Sequence, residues 1–320
     1  MIKIIYHPGY NISFLGLENL HPFDSKKYGR VYQALEDRFT ENLAQYLLTP
    51  AQPISQTELL TVHSLSYLDQ LKSSRYAAQV LEVPFLAFLP NVLIDSALLQ
   101  GMRWATQGTI LGAKEALTSG LAINLSGGYH HAKPNSGEGF CAYADIALAV
   151  ASVREAGLLK KDDKVVYIDL DAHQGNGVCH CFLNDDSVYI FDMYNGDIYP
   201  VDDEIAQARI DWNIPLTSMC DDKTYLNLLK SDLPAFLASI DNSGEKIGLV
   251  IYTAGTDVYQ EDSLGQLGLS EAGILERDMF VINVLQHRHI PTLMVLGGGY
   301  TQQSYQLVFN TVQKILLDGN

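Results

Sequence analysis

Two carboxylates and an imidazole alternate in the run Asp169, Leu170, Asp171, Ala172, His173, and another carboxylate, Asp257, closes the segment that begins at Thr253. On an extended strand alternate side chains share a face, so Asp171 and His173 are predicted to hold one divalent ion, with Asp257 arriving from another strand end. Three protein ligands leave a coordination position open for water and substrate, as a catalytic zinc requires. Two carboxylates offset the ion's charge and weaken its pull on water, which calls for a separate general base. His130 and His131 supply adjacent imidazoles that titrate near neutrality, and Asp169 remains to orient one of them. Tyr300 follows Gly297, Gly298 and Gly299, whose backbone freedom lets its hydroxyl reach a developing oxyanion. Each fragment alone is weak, since Asp-x-Asp also binds magnesium and the chain has 18 tyrosines. Their conjunction points to hydrolysis of an amide.

Such residues need elements that meet. Apolar runs at 2–6, 121–125, 164–170, 187–193, 247–253 and 291–296 have the character of buried parallel strands. Helical stretches lie between several of them, at 143–156 and at 271–286 behind Ser270 as N-cap. Loops are expected at 19–27 and 83–91, around Pro22, Pro84 and Pro90. No linker, repeat or shift of composition divides residues 1–320, so the expectation is a single α/β domain: a doubly wound, mostly parallel sheet with helices on both faces. In such sheets ligands bind beyond the carboxyl ends of the strands. Asp169, Asp171, Asp257 and Tyr300 each follow an apolar run.

Composition narrows the function classes. A chain of 320 residues, 47% hydrophobic and 18% charged, can bury an ample core and has the balance of a soluble enzyme. A net charge of −16, from 37 acidic and 21 basic residues, argues against direct binding to nucleic acid or an anionic membrane and leaves cationic substrates welcome. Cys141, Cys179, Cys181 and Cys220 lack the spacing of a secreted disulfide framework, and Cys179-His180-Cys181 has no second pair to complete a structural zinc site. No apolar stretch approaches the roughly 20 residues of a membrane span, and the opening residues do not form a signal peptide. A cytoplasmic protein is expected, with export by an unrecognised signal left open.

In His21-Pro22-Phe23-Asp24, Gly139-Phe140-Cys141-Ala142-Tyr143-Ala144-Asp145, 168–177, Ala254-Gly255-Thr256-Asp257 and Gly298-Gly299-Tyr300, the sequence resembles the histone deacetylase family, most closely its class IV branch, over nearly the whole chain. The resemblance implies an arginase/deacetylase-like fold and zinc on Asp171, His173 and Asp257. It implies His131 as general base, His130 as its electrostatic partner oriented by Asp169, and Tyr300 as the carbonyl-polarising phenol. Gly139, Phe140, Tyr199 and Gly298 would line a tunnel for an acylated lysine side chain. A potassium ion would sit near the zinc on the backbone carbonyls of Asp169, Asp171, His173 and Met193 with the Asp192 side chain. Asn176 stands where the better-known class I enzymes carry an aspartate facing the base. A neutral partner raises an imidazole pKa less than a carboxylate does.

The arginase and agmatinase group, similar in fold, also carries Asp-Ala-His but uses two manganese ions. Here Gly175 occupies the position of a further aspartate and Tyr129 that of another acidic ligand, which leaves too few ligands for a second metal. A magnesium phosphoryl-transfer enzyme lacks its phosphate loop, and a non-catalytic acyl-lysine binding module would not need base and phenol together. The expected activity is zinc-dependent hydrolysis of N-acyl-lysine, acetyl or longer, in proteins or peptides. An acetylated polyamine is the alternative substrate.

Overall fold

The computed structural model describes residues 2–12, 24, 26–160, 163–241 and 246–319. Among them eight strands form one sheet: β1 (Lys3–Ile5), β2 (Leu47–Leu48), β3 (Leu121–Asn124), β4 (Lys164–Asp169), β5 (Val188–Asn195), β6 (Trp212–Leu216), β7 (Ile247–Thr253) and β8 (Thr292–Val295). Their order is β2-β1-β3-β8-β7-β4-β5-β6, and each pairing is parallel. β3, β4 and β8 are buried along their whole length. Full burial explains why they read as unbroken apolar runs and not as alternation.

The helices that frame the site are α1 (Lys27–Phe39), α2 (Gln100–Ser119), α3 (Asp145–Glu155), α4 (Asn176–Cys181), α5 (Glu204–Arg209), α6 (Asp222–Asp241), α7 (Glu271–His287) and α8 (Ser304–Asp318). α2 packs on β1, β3 and β8 and against α3, while α1, α8, α7 and α6 pack in succession as a separate layer, so helices cover both faces. α7 starts where its N-cap predicts: the Ser270 hydroxyl accepts the Gly273 N–H at 3.1 Å. No helix of the described residues is long and apolar enough to cross a membrane.

Three expectations need revision. The edge strands β2 and β6 do not stand out as apolar runs: β2 has two residues, and β6 carries Asn213 and Pro215 on a half-exposed edge, where proline is tolerated. The expected loop at 83–91 contains a 3-10 turn at Pro84–Phe88, and a helical turn opens at Asn91. Finally, β4 ends at Asp169, so Asp171 and His173 lie in the loop beyond it and strand alternation does not align them. His21, Pro22 and Phe23, and most of the expected 19–27 loop, lie outside the described residues.

Candidate active site

The carboxyl ends of β3, β8, β7 and β4 are neighbours in the sheet, and the four loops leaving them converge. After β3 the chain turns through Gly127 (φ 78°) and Gly128 (φ 84°), a left-handed region that side chains with a Cβ rarely adopt. Asp145, the first residue of α3, holds this turn by accepting the N–H groups of Gly128 (2.9 Å) and Tyr129 (2.8 Å), and Thr109 Oγ1 donates to the same carboxylate at 2.7 Å. The turn delivers His130 and His131 side by side, both buried, with ring centroids 4.1 Å apart.

After β4 the carboxylates themselves order the loop. Asp169 Oδ1 accepts the Asp171 N–H at 3.1 Å, and Asp171 Oδ1 accepts the His173 N–H at 3.0 Å. Asp169 Oδ2 receives the Tyr167 hydroxyl (2.7 Å) and His130 Nδ1 (2.8 Å), which places Asp169 behind His130. Asp257, beyond β7, accepts the Ala172 N–H at 2.9 Å through Oδ1 and turns Oδ2 to His173 Nδ1 at 2.9 Å. His173 Nδ1 is also 3.2 Å from Asp171 Oδ1. Asp171, His173 and Asp257 thus offer three buried ligand atoms within 4.8 Å of one another, the one such group found among the described residues. Burial and the adjacent Asp171 push the Asp257 carboxyl up to about 7. Two anions crowded onto one imidazole in a dry site is the donor chemistry of a divalent-ion site.

The paired imidazoles are driven apart. Burial opposes charge on His130, but Asp169 and Asp171 override it and hold the ring up at about 9. Burial, then the charges of His130 and His173, keep His131 well below the ordinary imidazole range. His131 Nδ1 lies 2.8 Å from Asn176 Oδ1 at the start of α4. At neutral pH this leaves His130 cationic and His131 neutral, the division of labour expected of an electrostatic partner and a base.

Beyond β8, Gly298 N–H donates to Asp171 Oδ2 at 2.6 Å. The Tyr300 N–H donates to Asp262 Oδ2 at 2.7 Å, and its ring stands 6.1 Å from those of His173 and Phe140. Burial, reinforced by Asp257 and Asp171, holds the Tyr300 hydroxyl well above its usual pKa, so it remains a donor. A cavity of about 730 Å³ opens over these groups, lined by His131, Gly139, Phe140, His173, Tyr199 and Tyr300. Gly298 is not among its walls; it borders a smaller space of about 30 Å³ farther in, beside Tyr28, Tyr129 and Cys141. His131, Gly139, Phe140 and Tyr300 border that space as well, so Gly298 adjoins the residues expected to line the tunnel.

Asp192 lies beside Asp169 in the β4–β5 register and accepts the Gly175 N–H at 2.9 Å through Oδ2. Its Oδ1 is buried with no hydrogen-bond partner among the described residues, and burial with the nearby Asp169 raises its carboxyl well above the usual range. A monovalent cation fits this orphaned oxygen. Met193, the next residue of β5, is fully buried.

Residues far from the motifs hold the loops in place. Lys27 is fully buried at the start of α1, and its ammonium donates to the carbonyls of Gly297 (3.1 Å) and Gly298 (3.0 Å). Burial brings it down to about 8 although Asp257, Asp171 and Asp262 favour its charge. Arg277 of α7, also fully buried, donates to the carbonyls of Leu170 (2.9 Å) and Gly255 (2.7 Å), joining the two loops that carry the carboxylates. In sequence both look like ordinary helix-surface cations, and no local pattern marks them. Cys179 and Cys181 form no disulfide, and His180 Nε2 lies 2.9 Å from Asp203 Oδ2.

Comparisons with known proteins agree with this architecture. The family model described as histone deacetylase domain matches residues 21–316. The histone deacetylase 2 of Arabidopsis thaliana is 42% identical over 319 residues, covering 99% of this chain and 79% of its own length. Several other curated relatives are longer, and the match to this chain covers only about half of their length. Among solved structures, an HDAC homolog complexed with SAHA superposes with a TM-score of 0.75 at 22% identity over 98% of this chain and 83% of its own. The HDA15 HD domain gives 0.73 at 20% identity over 98% and 90%. At that identity the structures speak to the fold.

Proposed function

Because this chain belongs to the histone deacetylase family, we propose that it is a zinc-dependent lysine deacylase of class IV type, with residues 1–320 acting as one catalytic domain. The observation that carries this reading is the buried Asp171, His173 and Asp257 group, whose His173 lines a cavity together with His131 and Tyr300. Asn176 opposite the base supports the class IV assignment.

Asp171, His173 and Asp257 would hold the zinc, which when bound supplies Lewis acidity toward the amide carbonyl and acidifies water. His131, neutral, accepts a proton at Nε2, and cationic His130, anchored by Asp169, favours the negative charge that develops as the amide is attacked. The Tyr300 hydroxyl donates a hydrogen bond to the oxyanion, and the imidazole pair returns a proton to the leaving amine. Gly139, Phe140 and Tyr199 guide the acylated side chain in. Asp192, with carbonyls of Asp169, Asp171, His173 and Met193, would hold potassium.

A ureohydrolase with two metals is disfavoured by Gly175: a Cβ there would collide with the Asp169 carboxylate, so the extra aspartate of that group has no room. A second reading has its own support. Among the described residues the cavity wall includes Glu82 and Asp197 and no lysine or arginine, which suits a cationic acylpolyamine. The proposal extends to a cytoplasmic setting and to acyl groups longer than acetyl. A hydrolysis panel of acetyl-lysine peptide, long-chain acyl-lysine peptide and acetylpolyamine, with Asp257→Ala as control, tests it. Turnover of an acyl-lysine peptide that is lost in the control is expected. Turnover of acetylpolyamine alone would replace the proposal with the second reading.

A further inference from the structure

We propose that Glu138 and Asp203 are positioning residues that set the tautomer of His131 through the side-chain amide of Asn176. The inference rests on the reading of His131 as the base. Asn176 Nδ2 donates to Glu138 Oε1 at 2.7 Å and to Asp203 Oδ2 at 3.2 Å. Both acceptors are carboxylates, so the amide has one tolerable orientation: the flipped form would set its oxygen against two anions. With Nδ2 fixed outward, Oδ1 faces His131 Nδ1 at 2.8 Å and accepts, which obliges Nδ1 to carry the proton. The lone pair of neutral His131 is then on Nε2, the nitrogen that must accept a proton in the reaction. An amide free to flip would present N–H to Nδ1 and select the other tautomer, which carries its proton on Nε2 and is no base there.

The two carboxylates are themselves held. Lys133 Nζ bridges Glu138 (3.0 Å) and Asp203 (3.2 Å), and His180 Nε2 lies 2.9 Å from Asp203 Oδ2. Asp203 is also the N-cap of α5, accepting the Ala206 N–H at 3.1 Å through its other oxygen. An aspartate at position 176 would need no such support, because both of its oxygens are acceptors. The neutral amide does, and Glu138 and Asp203 supply it from outside the reacting groups.

The test uses the full chain labelled with 15N-histidine, metal-free and without substrate, comparing wild type with Glu138→Met, Glu138→Gln and the pair Glu138→Met with Asp203→Asn. In wild type the His131 signals should report a protonated Nδ1 and a bare Nε2. Glu138→Met should mix in the Nε2–H form, the double variant more so, and Glu138→Gln, which keeps an acceptor oxygen without charge, should restore the wild-type pattern. In the zinc-loaded enzyme kcat should fall about tenfold or more in the double variant with a smaller change in KM, short of the ~10⁴-fold of a catalytic imidazole locked in the wrong tautomer. Glu138 is partly exposed, so the single variant keeps the test alive if the double variant does not fold. An unchanged His131 tautomer in every folded variant overturns the proposal, whether or not the chain hydrolyses acyl-lysine. So does a Glu138→Gln that behaves like Glu138→Met, since charge and not orientation would then be the cause.

Discussion

His130 and His131 are adjacent in sequence and in space, yet Asp169, with Asp171 nearby, holds one ring charged, while burial and the charges of His130 and His173 keep the other, which faces Asn176, neutral. A base must be neutral to act. With His131 held well below the ordinary imidazole value of about 6.5, the acidic limb of the kcat/KM profile is expected below that pH. Replacing Asn176 by Asp puts a carboxylate against the ring, favours the imidazolium, and should move the limb upward; a pH profile with the limb unmoved would show that Asn176 does not tune the base. Tyr300→Phe removes the proposed oxyanion donor and should lower kcat by roughly a hundredfold with KM little changed, and steady-state kinetics near wild type would remove Tyr300 from the mechanism. The residues with unusual chemistry, such as paired histidines or Asp-x-Asp-x-His, were legible in the sequence because few other roles demand those types at that spacing. Lys27, Arg277, Glu138 and Asp203 were not, since a charged residue on a helix or loop is ordinarily solvated and only the fold shows which ones face inward.

At the scale of elements, carboxylates accept backbone N–H groups in the loops that carry the site. Asp145 illustrates it: one side chain at the start of α3 satisfies two N–H groups of the turn that carries His130 and His131. Asp145→Ala strands both buried donors and should cost about 2–4 kcal/mol, read as a lower urea midpoint, with activity falling further than stability alone explains. A midpoint within a few tenths of a molar of wild type would mean the turn holds itself. The central strands could be read from composition because burial on both faces makes them uniformly apolar, and edge strands could not, since β6 tolerates Pro215 where no ladder partner follows. Period-two alternation suggested how Asp171 and His173 align, but the strand ends first, and Asp169 and Asp171 bend the loop by capping its own N–H groups.

Across the whole molecule, one parallel sheet gathers segments from the first to the last third of the chain onto a single edge. No pattern in the sequence specifies that β8 lies between β3 and β7, because strand order is decided by crossover packing and not by local propensity. Part of the acidic excess of −16 is concentrated there: Asp169, Asp171, Asp192 and Asp257 are buried, with Lys27, Arg277 and His130 as basic groups nearby. Buried anions in such proximity are offset by protonation, by neighbouring cations or by a bound metal ion, and the metal is the claim on which the rest depends. The direct test is to titrate zinc into the metal-free chain while following hydrolysis of an acetyl-lysine peptide. The account predicts no hydrolysis without metal and activity that saturates at one zinc per chain. Hydrolysis that survives metal removal, or that appears only when two ions are bound per chain, would contradict it.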